Sequence, residues 1–162
     1  MGDGDAAAIR AERGDWMEEH LAMYLDSGGV RGHIVDISPV GGREMTTHCL
    51  IRYTGRKSGN VYIKPLIYGN VGGEIVIVAS KGGADTDPEW YLNIRESETI
   101  GVQIATQAFD ATWREPEFEE RHQVWAYMTH LFPPYLGYQT STTRHIPVVM
   151  LRAVRPIPVF TE

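Results

Sequence analysis

A chain of 162 residues fits one domain and is long enough to bury a core without disulfide staples. Its net charge of −6 excludes the broad basic footprint of a general nucleic-acid binder, and no apolar run approaches the roughly 20 residues of a membrane-spanning helix. The single cysteine, Cys49, excludes an intramolecular disulfide and fits a reducing compartment, so the expected location is the cytoplasm. Cys49 lies in an apolar stretch, as a small buried residue does, rather than among the charges that activate a nucleophile.

Residues 1–14 are small and polar, lack the apolar core of a signal peptide, and read as a disordered lead-in to one domain over residues 15–162. A helix is predicted from Trp16 to about Asp26. Asp15 is its cap, Glu18 stands three residues on, and Met17, Leu21, Tyr24 and Leu25 share one face. Gly28 and Gly29 end it. Its polar face carries Glu18, Glu19 and Asp26 rather than Lys or Arg, so it reads as packing on the domain and not on a membrane surface.

From Met45 the pattern turns to strands. Cys49 to Tyr53, Val61 to Tyr68 and Glu74 to Ala79 read as strands, joined by turns at Thr54–Asn60 and Gly69–Gly73. A loop from Ser80 to Thr86 leads to a short helix with Asp87 as N-cap and Pro88 in the first helical position. Strands follow near Thr99–Ala105 and Ala108–Arg114. A second long helix is predicted from Pro116 to Leu131, with Phe118, His122, Trp125 and Thr129 as one stripe and Val124, Met128 and Leu131 widening it. Pro133 and Pro134 stop it. An aromatic loop, Tyr135 to Tyr138, then precedes a last strand, Pro147 to Val154. This order implies an α+β domain whose short sequential antiparallel strands form a closed or partly closed barrel.

The informative anomaly is local. Between Met45 and Gly73 there is no Asp or Glu, while Arg52, Arg56, Lys57 and Lys64 fall in that stretch and Lys81 lies just beyond. Positive charge concentrated on a glycine-flanked turn of an acidic protein can be an anion site, with forked guanidinium donors and exposed amides, or simply a solvated hairpin turn. The loop Ala79-Ser80-Lys81-Gly82-Gly83-Ala84 offers bare backbone to a ligand, or is an ordinary strand-to-helix connection. Phe132, Tyr135 and Tyr138 can cap a flat substrate or pack beneath their loop. The six histidines lack zinc-ligand spacing, so no metal is expected, and no Gly-x-Ser-x-Gly elbow or catalytic cysteine motif occurs.

Taken together, Tyr53-Thr54-Gly55-Arg56-Lys57-Ser58-Gly59, Pro65-Leu66, Ala79-Ser80-Lys81-Gly82-Gly83-Ala84, Pro88-Glu89-Trp90-Tyr91-Leu92-Asn93, Pro134-Tyr135 with Tyr138-Gln139, and Arg144 with Ile146-Pro147-Val148-Val149 resemble the deazaflavin-dependent nitroreductases, also called F420H2-dependent quinone reductases. The resemblance spans roughly residues 49–149. It implies an FMN-binding split-barrel-like fold and the anionic coenzyme F420 (8-hydroxy-5-deazaflavin), whose phosphate and polyglutamate tail answer the charge anomaly. By the same resemblance Arg56, Lys57 and Ser58 hold the phosphate and tail, with Tyr62, Ile63 and Lys64 beside them. Val78, Ala79, Ser80, Lys81 and Gly82 line the ring, and Trp90 and Asn93 close the site. The chain departs from the pattern at Tyr62, where a basic residue is frequent, at Phe132, where a tyrosine is frequent, and at Glu89, where an apolar or small residue is frequent.

The implied activity is hydride transfer to a quinone-like or nitroaromatic small molecule. Ser80 and Tyr135 bond the developing negative oxygen, and Tyr138 or water supplies the proton. An FMN-dependent split-barrel oxidoreductase and a non-catalytic deazaflavin carrier are the alternatives. A homodimer burying the N-terminal helix is open at this stage.

Overall fold

The computed structural model describes residues 16–38 and 41–161. The expected lead-in over residues 1–14 and the Asp15 cap lie outside the described residues. Helix α1 spans Trp16–Asp26, as the periodicity predicts. Strands β1 (Ile34–Val35), β2 (Thr46–Thr54), β3 (Val61–Ile67), β4 (Gly69–Val71) and β5 (Glu74–Val78) follow. After a single 3-10 turn at Lys81–Gly83 come α2 (Glu89–Ile94), β6 (Thr99–Ile104), β7 (Gln107–Arg114), α3 (Phe118–Leu131), α4 (Pro134–Thr140) and β8 (Val148–Ile157).

Every strand pairing is antiparallel. β2 pairs with β3 on one edge and β6 on the other, and the ladder continues β6–β7–β8–β5–β4. Only Tyr68 separates β3 from β4, so the two act as one bent strand. Its first half pairs with β2 and its second half with β5, which closes a six-membered ring. Before Tyr68, β3 has no ladder to β5, and the barrel is split there. The Tyr68 amide donates to Thr47 O. Strand alternation then turns the nitrogen of position 65 away from β2, toward the open edge. Proline has no proton to donate there, so Pro65 suits that edge.

Alternation also sorts the core. Cys49, Ile51, Ile75, Ile77, Val102, Val149 and Leu151 fill the barrel, and Trp90, Tyr91 and Ile94 of α2 cap one end. Val76, Val78, Val148 and Met150 face the other way, onto Val124, Met128, Phe132 and Tyr135 of the α3–α4 side. Leu50 faces Tyr24 of α1 and Phe160. Each fully buried Ile or Leu contributes about 2 kcal/mol, against at most about 1 kcal/mol for an exposed ion pair such as Arg155–Asp110. The barrel interior therefore holds the fold, and the surface pairs only decorate it. Cys49 is wholly buried, and burial pushes its thiol up to about 12, so it is core and not nucleophile.

Several sequence expectations need correction. Asp87 does not cap α2. Pro88 occupies the N-cap, one place earlier than predicted, because the Asp87 carboxylate is taken by Arg144 at 2.8 Å. The expected aromatic loop is a helix, α4, since Pro134 at its start lacks only an amide that has no partner in a first turn. In α3 the buried face is Val124, Met128 and Thr129, while Phe118 is 89% exposed and His122 is exposed, so the predicted stripe holds only in its second half. In α1 Met17 is substantially exposed and His20 is buried instead. The turn at 69–73 begins as a strand, and β8 runs three residues beyond the predicted end.

The turn after α1 is set by Gly29, whose φ is +90° and where an added Cβ would sit 1.7 Å from Ala105 O. Gly28 has φ +64° with open space around it. Gly28→Ala should therefore cost about 1 kcal/mol from backbone strain alone, and Gly29→Ala should cost well over 2 kcal/mol because backbone must also move. Thermal melts of the two variants check this, and equal destabilisation would refute the close-approach argument.

Candidate functional site

The split in the barrel opens into a cavity of about 450 Å³. β3 supplies one wall through Lys64, Pro65, Leu66 and Ile67, and the β5 end and following loop supply the other through Val78, Ser80, Lys81 and Gly82. Trp90 of α2, Phe132, and Tyr135 and Tyr138 of α4 close it, and Met17 and His20 of α1 with His48 of β2 form the remaining side. The lining is mainly apolar with a few polar groups, as in small-molecule sites.

The loop after β5 is held by one side chain. Arg144 donates to Ala79 O at 3.1 Å, Ser80 O at 2.9 Å and Ala84 O at 3.0 Å, and its Nη1 also meets Asp87 Oδ1 at 2.8 Å. Fixed in this way, the loop turns sharply: Lys81 has φ +47° and Gly82 +64°. Of the two adjacent glycines, Gly82 faces open space, whereas a Cβ on Gly83 would meet Ser141 Oγ at 2.2 Å. Only the first of them presents bare backbone; the second lets the loop press on α4.

Three hydroxyls at the cavity, those of Ser80, Tyr135 and Tyr138, make no side-chain hydrogen bond among the described residues. Burial raises the pKa of both tyrosines, so each keeps its proton at neutral pH and acts as a donor. Lys64 is half buried and has no carboxylate partner among the described residues. Its pKa is lowered, first by burial and then by Lys81 nearby. An anionic group entering here would relieve both effects.

A second hollow of about 300 Å³ adjoins α2 and is lined by Tyr53, Gly55, Arg56, Lys57, Ser58, Tyr62, Glu89 and Asn93. The turn that builds it is closed by Gly59 N to Gly55 O at 2.9 Å, with Gly59 at φ +75°. The Arg56 amide and guanidinium both donate to Asn93 Oδ1 at 2.9 Å, which fixes the turn to the helix. The guanidinium also pairs with Glu89 at 2.8 Å. That hydrogen bond and charge hold the Glu89 carboxyl below its usual pKa. Tyr62 stacks on Tyr53 and meets Ser58 Oγ at 3.2 Å, so an aromatic shelf stands where a cation is frequent.

The structure thus brings the predicted residues together in two groups. Arg56, Lys57, Ser58, Tyr62 and Asn93 share the cationic hollow, and Lys64, Val78, Ser80, Lys81, Gly82, Trp90, Tyr135 and Tyr138 share the cavity. Two fall outside both. Ile63 packs with Leu50 and Tyr24, and Ala79 is buried in the barrel, reaching the site only through its carbonyl on Arg144. Residues the motifs did not mark are Met17, Ile37, His20 and His48, which arrive from α1, the segment after β1, and β2. Helical and strand periodicity could have placed them on inward faces, but not on this cavity. Among the described residues no cluster of His, Cys, Asp or Glu could hold a metal.

The family model described as F420H(2)-dependent quinone reductase matches residues 16–153. An F420H(2)-dependent quinone reductase of Mycobacterium tuberculosis is 28% identical over 148 residues, covering 84% of this chain and 95% of that protein. A solved F420-H2 dependent reductase is 40% identical, with TM-score 0.60, covering 65% of this chain and 93% of its own. Another solved structure, described as a domain-swapped dimer, is 36% identical with TM-score 0.63, covering 85% of this chain and 98% of its own. A heme binding protein from Mycobacterium smegmatis shares the fold at TM-score 0.54 but only 13% identity. The split barrel, the cationic turn and the match over most of its length place this chain in the F420H(2)-dependent quinone reductase family.

Proposed function

We propose that the two hollows together hold coenzyme F420 beside an electrophilic acceptor, with a quinone as the acceptor class. The observation that carries this is an apolar cavity, edged by three hydroxyls that make no side-chain hydrogen bond among the described residues, and a cationic hollow lined by the same helix, α2. The donor set fits the group. Arg56, Lys57 and Lys81 match an anionic tail, Lys64 lacks a carboxylate partner among the described residues, and Gly82 leaves backbone bare beside the cavity.

When bound, reduced F420 supplies the hydride. The chain's own work is placement and electrostatics. Trp90 and Val78 bound the flat space, and the Arg144-fixed loop sets where Ser80 stands. Ser80 and Tyr135 donate to the acceptor oxygen that gains negative charge. Tyr138, less buried than Tyr135, stands where it can pass a proton from solvent to that oxygen. Nitroaromatics are electrophiles with oxygens that the same donors can reach. A homodimer is also proposed, supported by the 36% identical relative described as a domain-swapped dimer. A cytoplasmic setting is supported by the free, buried Cys49.

Mixing the purified protein with reduced F420 and menadione should consume the cofactor, followed by its absorbance under anaerobic conditions. A fluorescence titration should show F420 bound in preference to FMN. No turnover together with no binding would refute the assignment.

Lys57 is exposed, so its contact with an anionic tail is screened by salt. Lys57→Ala should weaken F420 binding by roughly tenfold or less at low salt, and the difference should shrink as salt rises. Equal affinities at low salt would remove Lys57 from the site.

Glu89 competes with the tail for Arg56. Glu89→Gln should bind F420 severalfold more tightly, with the largest gain at low salt. A weaker complex would mean that Glu89 chiefly positions Arg56.

A further inference from the structure

His48 is a buried polar group that the proposed chemistry does not use. It lies on the outer face of β2, opposite the barrel-filling Cys49 and Ile51, and is 2% exposed. Its Nδ1 lies 3.0 Å from Thr46 O. A carbonyl oxygen only accepts, so the proton is on Nδ1. Burial, with His20 and His33 nearby, drives the imidazole pKa down to about 3, so the ring is neutral. Nε2 therefore carries a lone pair. That atom is buried and has no hydrogen-bond partner among the described residues.

A buried acceptor left unmade costs about 1–3 kcal/mol, and native proteins keep few of them. Its surroundings hold it in place. His20 meets the His48 ring edge-on at 4.8 Å between centroids, and His20 Nε2 is itself 2.7 Å from Gly32 O. The Tyr24 hydroxyl donates to the His48 carbonyl at 3.0 Å. Both imidazoles belong to the cavity wall. The other polar groups around the cavity, Ser80, Tyr135, Tyr138, Lys64 and Lys81, are all able to donate. On the wall made by β2 and α1, His48 Nε2 offers a lone pair and no proton of its own.

We infer that this wall is a hydrogen-bond-accepting subsite, in which His48 Nε2 receives a phenolic O–H of the bound ligand. The inference rests on the cavity being the F420 and acceptor site. Two ligands bring that chemistry. A quinone has only accepting oxygens, but after gaining a hydride and a proton it carries two hydroxyls, so the subsite favours the reduced form. The deazaflavin itself carries a ring hydroxyl. In either case the neutral imidazole is a specificity residue: it rewards a proton on the ligand, where the donors across the cavity reward a lone pair.

The test is an anaerobic fluorescence titration of naphthohydroquinone, its dimethyl ether and F420 into wild type, His48→Leu and His48→Gln. His48→Leu should lose roughly tenfold in affinity for the hydroquinone or for F420, about the worth of one hydrogen bond, and nothing for the ether. His48→Gln keeps an accepting oxygen and should retain most of the affinity. Loss confined to the hydroquinone assigns the hydroxyl to the reduced acceptor; loss confined to F420 assigns it to the cofactor. Affinities unchanged for both in a folded His48→Leu protein would overturn the inference and leave the enzymatic reading standing. Wild type that binds neither would overturn both. Should His48→Leu not fold, His48→Phe, which keeps a ring without Nε2, takes its place in the same titration; affinities unchanged for both ligands there would overturn the subsite.

Discussion

The whole arrangement depends on how one strand is shared. β3 and β4 are a single run of chain bent at Tyr68, and the bend lets one segment pair with β2 before it and β5 after it. Without the second pairing there is no closed barrel to exclude water from Ile51, Ile77 and Leu151. Had β3 continued along β5 there would be no cavity. The fold thus obtains rigidity and an opening from the same backbone bend, and the groups that line the opening stand on strands the closed part holds in place.

Charge placement follows the same economy. The site is cationic because carboxylates are kept out of residues 45–73, while those that do approach are assigned partners. Glu89 sits on Arg56, and Asp87 on Arg144. Arg144 spends its cation on three carbonyls and one carboxylate, so its role is to fix the loop rather than to attract a ligand. Lys64 and Lys57 retain charge not spent inside the protein. A net charge of −6 and a cationic hollow are compatible because short-range geometry, not total charge, sets the local field.

What could be read from residues alone was whatever local chemistry determines. Gly55 to Asn60 announced a turn and the absence of acids around it a local excess of positive charge, and the structure gathers both at one hollow. Strand faces followed from alternation, and Trp16–Asp26 from helical spacing. What could not be read depends on partners far along the chain. Asp87 has a good cap side chain, yet Arg144, 57 residues away, takes it and leaves Pro88 at the helix start. Phe118 and His122 fit a helical stripe, but at that end of α3 the stripe faces outward and both are exposed. Tyr135 and Tyr138 follow two prolines that look like a stop and are in fact a start. His20 and His48 are ordinary polar residues until α1 folds onto β2 and buries both.

Pro65 carries a consequence beyond the site. A barrel that stays open leaves the outer edge of β3 without a second strand ladder among the described residues, and such an edge is a template on which another extended chain can add itself. At position 65 the backbone offers no proton to a newcomer, and Lys64 beside it brings charge. Strand addition, and the cross-β growth that follows from it, is interrupted at the same place where the cavity opens. The opening is thereby a poor template for polypeptide, which needs a ladder, and leaves the cavity behind it clear of an added strand.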